Sequence, residues 1–438
     1  MDLIRPDLIA QKYGGAQNLA FNERIKQLIR EGSRIHHFGF GESPFPVIEV
    51  ATEALKRHAH EKSYLNVQGL TELRKGICTF HQHYDHVTFD PDDVIVAPGS
   101  KQLILLLMTV FGGDILINSP AWTTYRSQAV LAGCSPLIVE SREEDDWRIT
   151  PEGVEKAISG VNSNRYKLLV LCNPCNPSGA CYTEEQLRDL VKTCRKHKVL
   201  VMSDEIYARI HFTGEHVCIS KVYPEGGIVC SGMSKWAGAG GWRMGYHIYP
   251  KQLSLLRNLV TNASSHSYSC APAPMQYAFA EAMQNVTACD EYILHVTRVM
   301  KCVSDYCVRE LRSANVQVPE PQGGFYLFPK FEVIRTALIR RGITTGQAMC
   351  DVMLEECSVA LLPGGPVHNR PCEEFTVRFC FVNFDGTAAL AESRSQGLDQ
   401  ELGEAFVQDI CRPVYDGIEA LKNWVIKLTK EQVKPQDT

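Results

Sequence analysis

The sequence predicts an α/β protein, with a mostly parallel sheet sandwiched by helices and a smaller α+β unit after it. Three observations carry the prediction. From residue 94 onward, short apolar runs without polar alternation recur, as in strands covered on both faces. Segments with apolar residues at helical spacing, such as 184–196, lie between most of these runs. After residue 314 the pattern shifts to aromatic-rich strands at 323–328 and 375–381.

In chain order, residues 21–30 read as a helix closed by Gly32, and 35–44 as a short strand entering a Gly-Pro turn. Pro46 suits a helix start, with Val47, Val50, Ala51 and Leu55 on its inner face. Tyr64 sits in a polar loop, and 71–84 is an amphipathic helix with Thr71 as N-cap. Strands are expected at 94–97, 115–117, 137–139, 168–171, 200–202, 228–230 and 245–248. Pro98-Gly99-Ser100-Lys101 turns the first of them into a helix over 102–110. Residues 278–314 read as a long, bent helix, 387–403 as an exposed polar insertion and 414–428 as a final amphipathic helix.

Bulk composition narrows the function. A chain of 438 residues suggests two or three domains with a core that needs no staples. A net charge of −5 gives no electrostatic case for nucleic acid or an anionic membrane. The longest apolar runs, such as 103–111, are too short to span a bilayer, and residues 1–11 read as neither a signal nor a transit peptide. The 17 cysteines, scattered singly, suggest free thiols in a reducing compartment, so a cytoplasmic protein is expected.

Ligands of such sheets sit at the carboxyl ends of the strands. There the block from Ser231 to Tyr246 holds one lysine, Lys235, a Gly-rich turn, and Arg243 eight positions on. A lysine desolvated in such a place becomes a nucleophile toward aldehydes. This points to a Schiff base with pyridoxal 5'-phosphate, with Arg243 on the phosphate; a solvated lysine before a turn is the plainer alternative. Such a cofactor needs a phosphate cup, and Gly99-Ser100 opens a helix N-terminus that suits a dianion. It needs a carboxylate for its pyridine nitrogen, and Asp204 lies at a strand end, unless it is a helix N-cap. Tyr207 and Asn176 could reach the ring oxygen, and Trp122 could stack on the ring, though a core phenol, an empty turn and a core tryptophan also fit. Arg378 interrupts an apolar strand, where it would grip a substrate carboxylate or form a buried salt bridge. His81, His83 and His86 are read as surface histidines rather than metal ligands, and the Cys172–Cys175 spacing as incidental.

In this order and context, the set resembles the class I/II aminotransferases of fold-type I, the aspartate aminotransferase superfamily. The resemblance runs from about Phe38 to about Asp385 and rests on Asn176-Pro177-Ser178-Gly179, Asp204-Glu205-Ile206-Tyr207, Ser234-Lys235 and Gly241-Trp242-Arg243-Met244-Gly245. It implies a large cofactor domain over 46–300, and a small domain built from 1–45 and 301–438. It implies that Lys235 is the Schiff-base lysine and general base, that Asp204 pairs the ring nitrogen, and that Tyr207 and Asn176 bind the ring oxygen. Trp122 would stack, and Gly99, Ser100, Lys101, Ser234 and Arg243 would surround the phosphate. Tyr64 would join them from the other subunit of a homodimer, and Arg378 with the backbone at Gly41 would hold the substrate α-carboxylate. The implied reaction is ping-pong transamination between an L-amino acid and a 2-oxo acid; a lyase, decarboxylase or racemase on the same scaffold is the alternative. The family commonly has Ser or Thr where this chain has Gly232, so Ser231 or Ser234 would have to replace it. Lys101 matches a lysine linked to distal carboxylates in one aspartate-using branch, whose N-terminal hydroxyls are replaced here by Gly14-Gly15-Ala16-Gln17.

Overall fold

The computed structural model describes residues 3–11, 13–162 and 164–433. The outer limits expected for the small domain, residues 1 and 438, lie outside the described residues. Among the described residues, the central sheet contains β2 (Val94–Ala97), β3 (Asp114–Ser119), β4 (Leu137–Glu140), β5 (Lys167–Cys172), β6 (Val199–Asp204), β7 (Gly227–Gly232) and β8 (Gly245–Ile248). Their spatial order is β2-β8-β7-β6-β5-β3-β4. All seven coincide with the expected apolar runs. β5, β6 and β7 are buried along their whole length, which is why they show no polar alternation.

Pairing is parallel except at β8, which runs antiparallel to both β2 and β7. The link from β7 to β8 holds only the 3-10 turn Gly240–Trp242, so the chain returns beside β7 instead of crossing over. That link carries Lys235.

Two small sheets complete the fold. β1 (His36–His37) pairs in parallel with β10 (Val359–Ala360), so an N-terminal segment joins a C-terminal one. β11 (Leu362–Pro363), β12 (Val377–Cys380) and β9 (Tyr326–Leu327) form an antiparallel sheet in the order β11-β12-β9.

Several local expectations need correction. The helix after Pro46 begins at Glu49, because the carbonyl of Ile48 accepts the first helical bonds and that of Pro46 accepts from the Tyr292 hydroxyl at 2.7 Å. Thr71 lies inside its helix; Leu70 is the cap residue, and its N–H donates to Gln276. The long helix is two, Ala273–Gln284 and Val286–Ser313, broken at Asn285, whose side chain caps the second. Residues 387–396 are no exposed insertion. They belong to the helix Gly386–Gln396, capped by Asp385, with Ala389, Leu390 and Ser393 buried. Ser393 meets His295 of the long helix at 2.9 Å.

Candidate active site

A cavity of about 480 Å³ opens at the carboxyl ends of β5, β6 and β7. Every site residue expected from sequence lines it except Gly99 and Tyr64. Lys235 enters from the link after β7, and its Nζ donates to the carbonyl of Gly41 at 2.8 Å. Burial lowers its pKa to about 8, with the Arg378 and Arg243 guanidinium groups adding to the shift. The ammonium is therefore poorly held, as a nucleophilic amine requires.

Asp204 ends β6 and is buried; no helix follows it, so the N-cap alternative falls. Burial raises its pKa to about 6, opposed by donation from the Tyr125 hydroxyl at 2.7 Å and from the Ile206 N–H. Tyr125 was not foreseen. It sits three residues after Trp122 in the helix Thr123–Leu131, and the two rings meet edge to face at 5.2 Å. Trp122 is half-buried; it packs against the core and lines the cavity. Asn176 is buried, and its Oδ1 has no hydrogen-bond partner. Tyr207 is buried too, with its hydroxyl 2.9 Å from that of Tyr326, a second unforeseen lining residue.

Ser100, Lys101, Ser234 and Arg243 gather at the other end, at the N-terminus of the helix Ser100–Val110. Arg243 adopts a left-handed conformation (φ 53°), and its guanidinium fills the space a Cβ at Gly99 would need. Gly99, also left-handed at φ 89°, thus admits Arg243 instead of lining the cavity itself. Among the described residues, neither Arg243 nor Lys101 pairs with a carboxylate. Desolvation lowers both pKa values, so the pair favours a bound anion. A Cβ at Gly232 would come within 2.7 Å of the Met244 carbonyl, which explains the missing hydroxyl. Ser231 turns away to donate to the Glu205 carbonyl, whereas Ser234 lines the cavity. Ser234→Ala is accordingly expected to weaken cofactor binding about tenfold, and Ser231→Ala to leave it unchanged, as read by fluorescence titration. Gly232→Ser should cost about 1–3 kcal/mol in denaturant unfolding.

Arg378, in β12, is 1 % exposed. Its Nη2 donates to the Gly39 carbonyl at 2.7 Å, and its Nε has no partner. No carboxylate among the described residues pairs with it, which removes the buried salt bridge as an explanation. Tyr64, 89 % exposed, stays outside this chain's own cavity. The N-terminal segment reaches the cavity through Asn18 and Leu19, beyond the 14–17 stretch considered from sequence, and the buried Asn18 Oδ1 is unpartnered.

One side reading changes, at His81. His83 and His86 are at the surface, but His81 is buried, bonded to Asp85 at 2.7 Å and to the Tyr246 hydroxyl at 2.8 Å. Cys172 and Cys175 are both free thiols; Cys172 lies in the cavity wall, and hydrogen bonding from Cys172 lowers the Cys175 pKa.

The cavity fits pyridoxal phosphate. Among the described residues, an anion cup without a carboxylate, an amide oxygen without a partner at Asn176, a carboxylate whose pKa is raised and a desolvated lysine without a counter-ion line one space, and such a ligand supplies what each can bind. Asp204→Asn is expected to stabilise the cofactor-free protein while weakening cofactor binding. A carboxyl whose folded pKa is raised costs stability as pH climbs from about 4 through about 6, here on the order of 3 kcal/mol. The melting temperature of the cofactor-free variant should thus exceed that of the parent at pH 7.5, with the gap closing toward pH 4.

Comparison with known proteins accords with this geometry. Residues 34–392 match the family described as Aminotransferase class I and II. The aspartate aminotransferase of Geobacillus stearothermophilus is 32 % identical over 362 residues, covering 79 % of this chain and 87 % of that protein. The Bacillus subtilis aspartate aminotransferase is 29 % identical over 360 residues, covering 79 % and 87 %. The solved structure of Thermus thermophilus aspartate aminotransferase with maleate shares the fold, with a TM-score of 0.78 at 24 % identity over 90 % of this chain and 99 % of that one. With its lysine, carboxylate and guanidinium gathered at the strand ends of that fold, this chain belongs to the class I and II aminotransferases, and its activity is pyridoxal-phosphate-dependent transamination.

Proposed function

We propose that the chain exchanges an amino group between an L-amino acid and a 2-oxo acid in two half-reactions at this cavity. The observation that carries the reading is a buried, unpaired guanidinium, Arg378, lining the same space as the desolvated Lys235. Arg378 would take the substrate α-carboxylate as a bidentate pair, helped by the backbone at Gly41. Pyridoxal phosphate, when bound, supplies an aldehyde that captures primary amines and a ring that draws electrons from the substrate Cα. Lys235 would remove the Cα proton, and its amine is available for this near pH 8. Asp204 would hold the ring nitrogen protonated, with Tyr125 keeping that carboxylate oriented. Asn176 and Tyr207 would meet the ring oxygen, and Trp122 the ring face. Ser100, Ser234, Lys101 and Arg243 would hold the phosphate, with Gly99 giving Arg243 its space.

The large domain is taken as 46–300, since every strand of the central sheet lies within it, and the small domain as 1–45 with 301–438. An exposed Tyr64 supports a homodimer in which the partner subunit's Tyr64 completes the phosphate cup. No helix among the described residues is long and apolar enough to cross a membrane, and all 17 cysteines are free, which supports a cytoplasmic setting. The lyase, decarboxylase or racemase alternative is not favoured, because the matching family and the relatives above are aminotransferases. Those relatives make L-aspartate the first donor to test. Incubation with a donor and a 2-oxo acid should yield the new amino acid and oxo acid in equal amounts. Release of carbon dioxide or ammonia without such exchange would overturn the reading.

A further inference from the structure

We propose that Tyr326 is a positioning residue for this reaction, whose hydroxyl donates to Tyr207 and thereby aims and strengthens the Tyr207 hydroxyl toward the cofactor's ring oxygen. The inference rests on the reading that Tyr207 meets that oxygen.

Tyr326 lies in β9, paired with Cys380 of β12, so it stands beside the strand that carries Arg378. The Arg378 guanidinium carbon is 5.3 Å from the Tyr326 ring centre. A Cβ at Gly41 would overlap the Tyr326 hydroxyl, so glycine there is what lets the phenol reach its place. From that place the hydroxyl is 2.9 Å from the Tyr207 hydroxyl. The Tyr207 ring is clamped edge-on by Phe325 at 5.1 Å and Tyr326 at 5.6 Å, which fixes its plane. Lys235 Nζ lies 5.8 Å from the same ring. The charged groups facing the pair are thus Lys235 and Arg378, together with the thiols of Cys172 and Cys380.

Burial raises the pKa of both phenols, so both stay protonated. Two hydroxyls joined by one hydrogen bond leave one proton over. Neither phenol donates to any other described group, and both line the cavity, so that proton is available to an acceptor there. Distance alone does not say which hydroxyl donates within the pair. The cations do: Arg378 lies 5.3 Å from the Tyr326 ring, closer than Lys235 Nζ to that of Tyr207 at 5.8 Å, and Lys235 holds its proton less firmly, so Tyr326 is the stronger acid and hence the better donor. Donation from Tyr326 leaves the Tyr207 proton for the ring oxygen, and serial hydrogen bonds polarise one another. A side chain of the three-stranded sheet thereby influences the charge on a group held by the central sheet.

The test titrates the visible absorbance band of the cofactor-loaded enzyme with pH in four forms: parent, Tyr207→Phe, Tyr326→Phe and the double variant. Both substitutions keep the rings and remove only hydroxyls, and near-ultraviolet circular dichroism confirms the packing. Tyr207→Phe should move the midpoint. Tyr326→Phe should move it in the same direction, by roughly a tenth to a third as much. The double variant should match Tyr207→Phe alone, since Tyr326 acts through Tyr207. An unmoved midpoint in Tyr326→Phe beside a moved one in Tyr207→Phe overturns the role of Tyr326. Additive shifts in the double variant overturn it too, because Tyr326 would then act directly. An unmoved midpoint in Tyr207→Phe overturns the placement of Tyr207 itself, and the inference with it.

Discussion

Lys235→Ala is expected to abolish turnover and the absorbance band of the lysine-bound cofactor. The loss in kcat should reach at least about ten-thousand-fold, the upper range for removing a single general base, because the nucleophile is lost as well. Cofactor affinity should fall much less, since Arg243, Lys101, Ser100 and Ser234 remain at the anion end of the cavity. Lys235→Arg should fail equally, because a guanidinium keeps its proton and cannot attack an aldehyde. The pH dependence has a definite sign. Burial lowers the Lys235 pKa to about 8, so the reactive amine grows as pH rises and saturates above that value. Capture of added cofactor by the cofactor-free protein, followed by stopped-flow absorbance, should accelerate with pH and level off above about 8. A rate that falls as pH rises would contradict the assignment.

Arg378→Lys is expected to cut kcat/KM for amino acids about a hundredfold, mostly through KM. A bidentate, charge-assisted pair in a buried site is worth about 3 kcal/mol, and an ammonium cannot reproduce its two parallel bonds. Primary amines without a carboxylate should react with the variant as well as with the parent; equal losses for both substrate types would sink the role. A second measurement separates function from scaffolding. Arg378 is buried without a carboxylate partner, so Arg378→Met should stabilise the cofactor-free protein, whereas breaking a structural ion pair would destabilise it.

The sequence-level reading succeeded where one segment carries its own signal. Apolar runs place the strands; Asp204 ends one, and Lys235, Asn176 and Trp122 follow others, all lining one cavity. It fell short where the signal is a contact between distant segments. Tyr125 reaches Asp204 across 79 residues and Tyr207 meets Tyr326 across 119, and neither partner looks unusual in its own helix or strand. A glycine that provides space is hidden for the same reason. The sequence around Gly99 suggests a phosphate ligand, whereas the structure shows Arg243 filling the place a side chain there would take. The helix Gly386–Gln396 was hidden because alanine and serine bury its inner face with almost no hydrophobic contrast. The direction of β8 follows from the short link before it, which apolar content alone does not reveal.

The central claim, that Lys235 is the residue joined to the cofactor, has a direct chemical test. Borohydride reduction of the loaded enzyme, followed by digestion and mass spectrometry, should find a pyridoxyl group on Lys235 and on no other lysine. A pyridoxyl group on Lys101 or elsewhere, or none at all, would contradict the account.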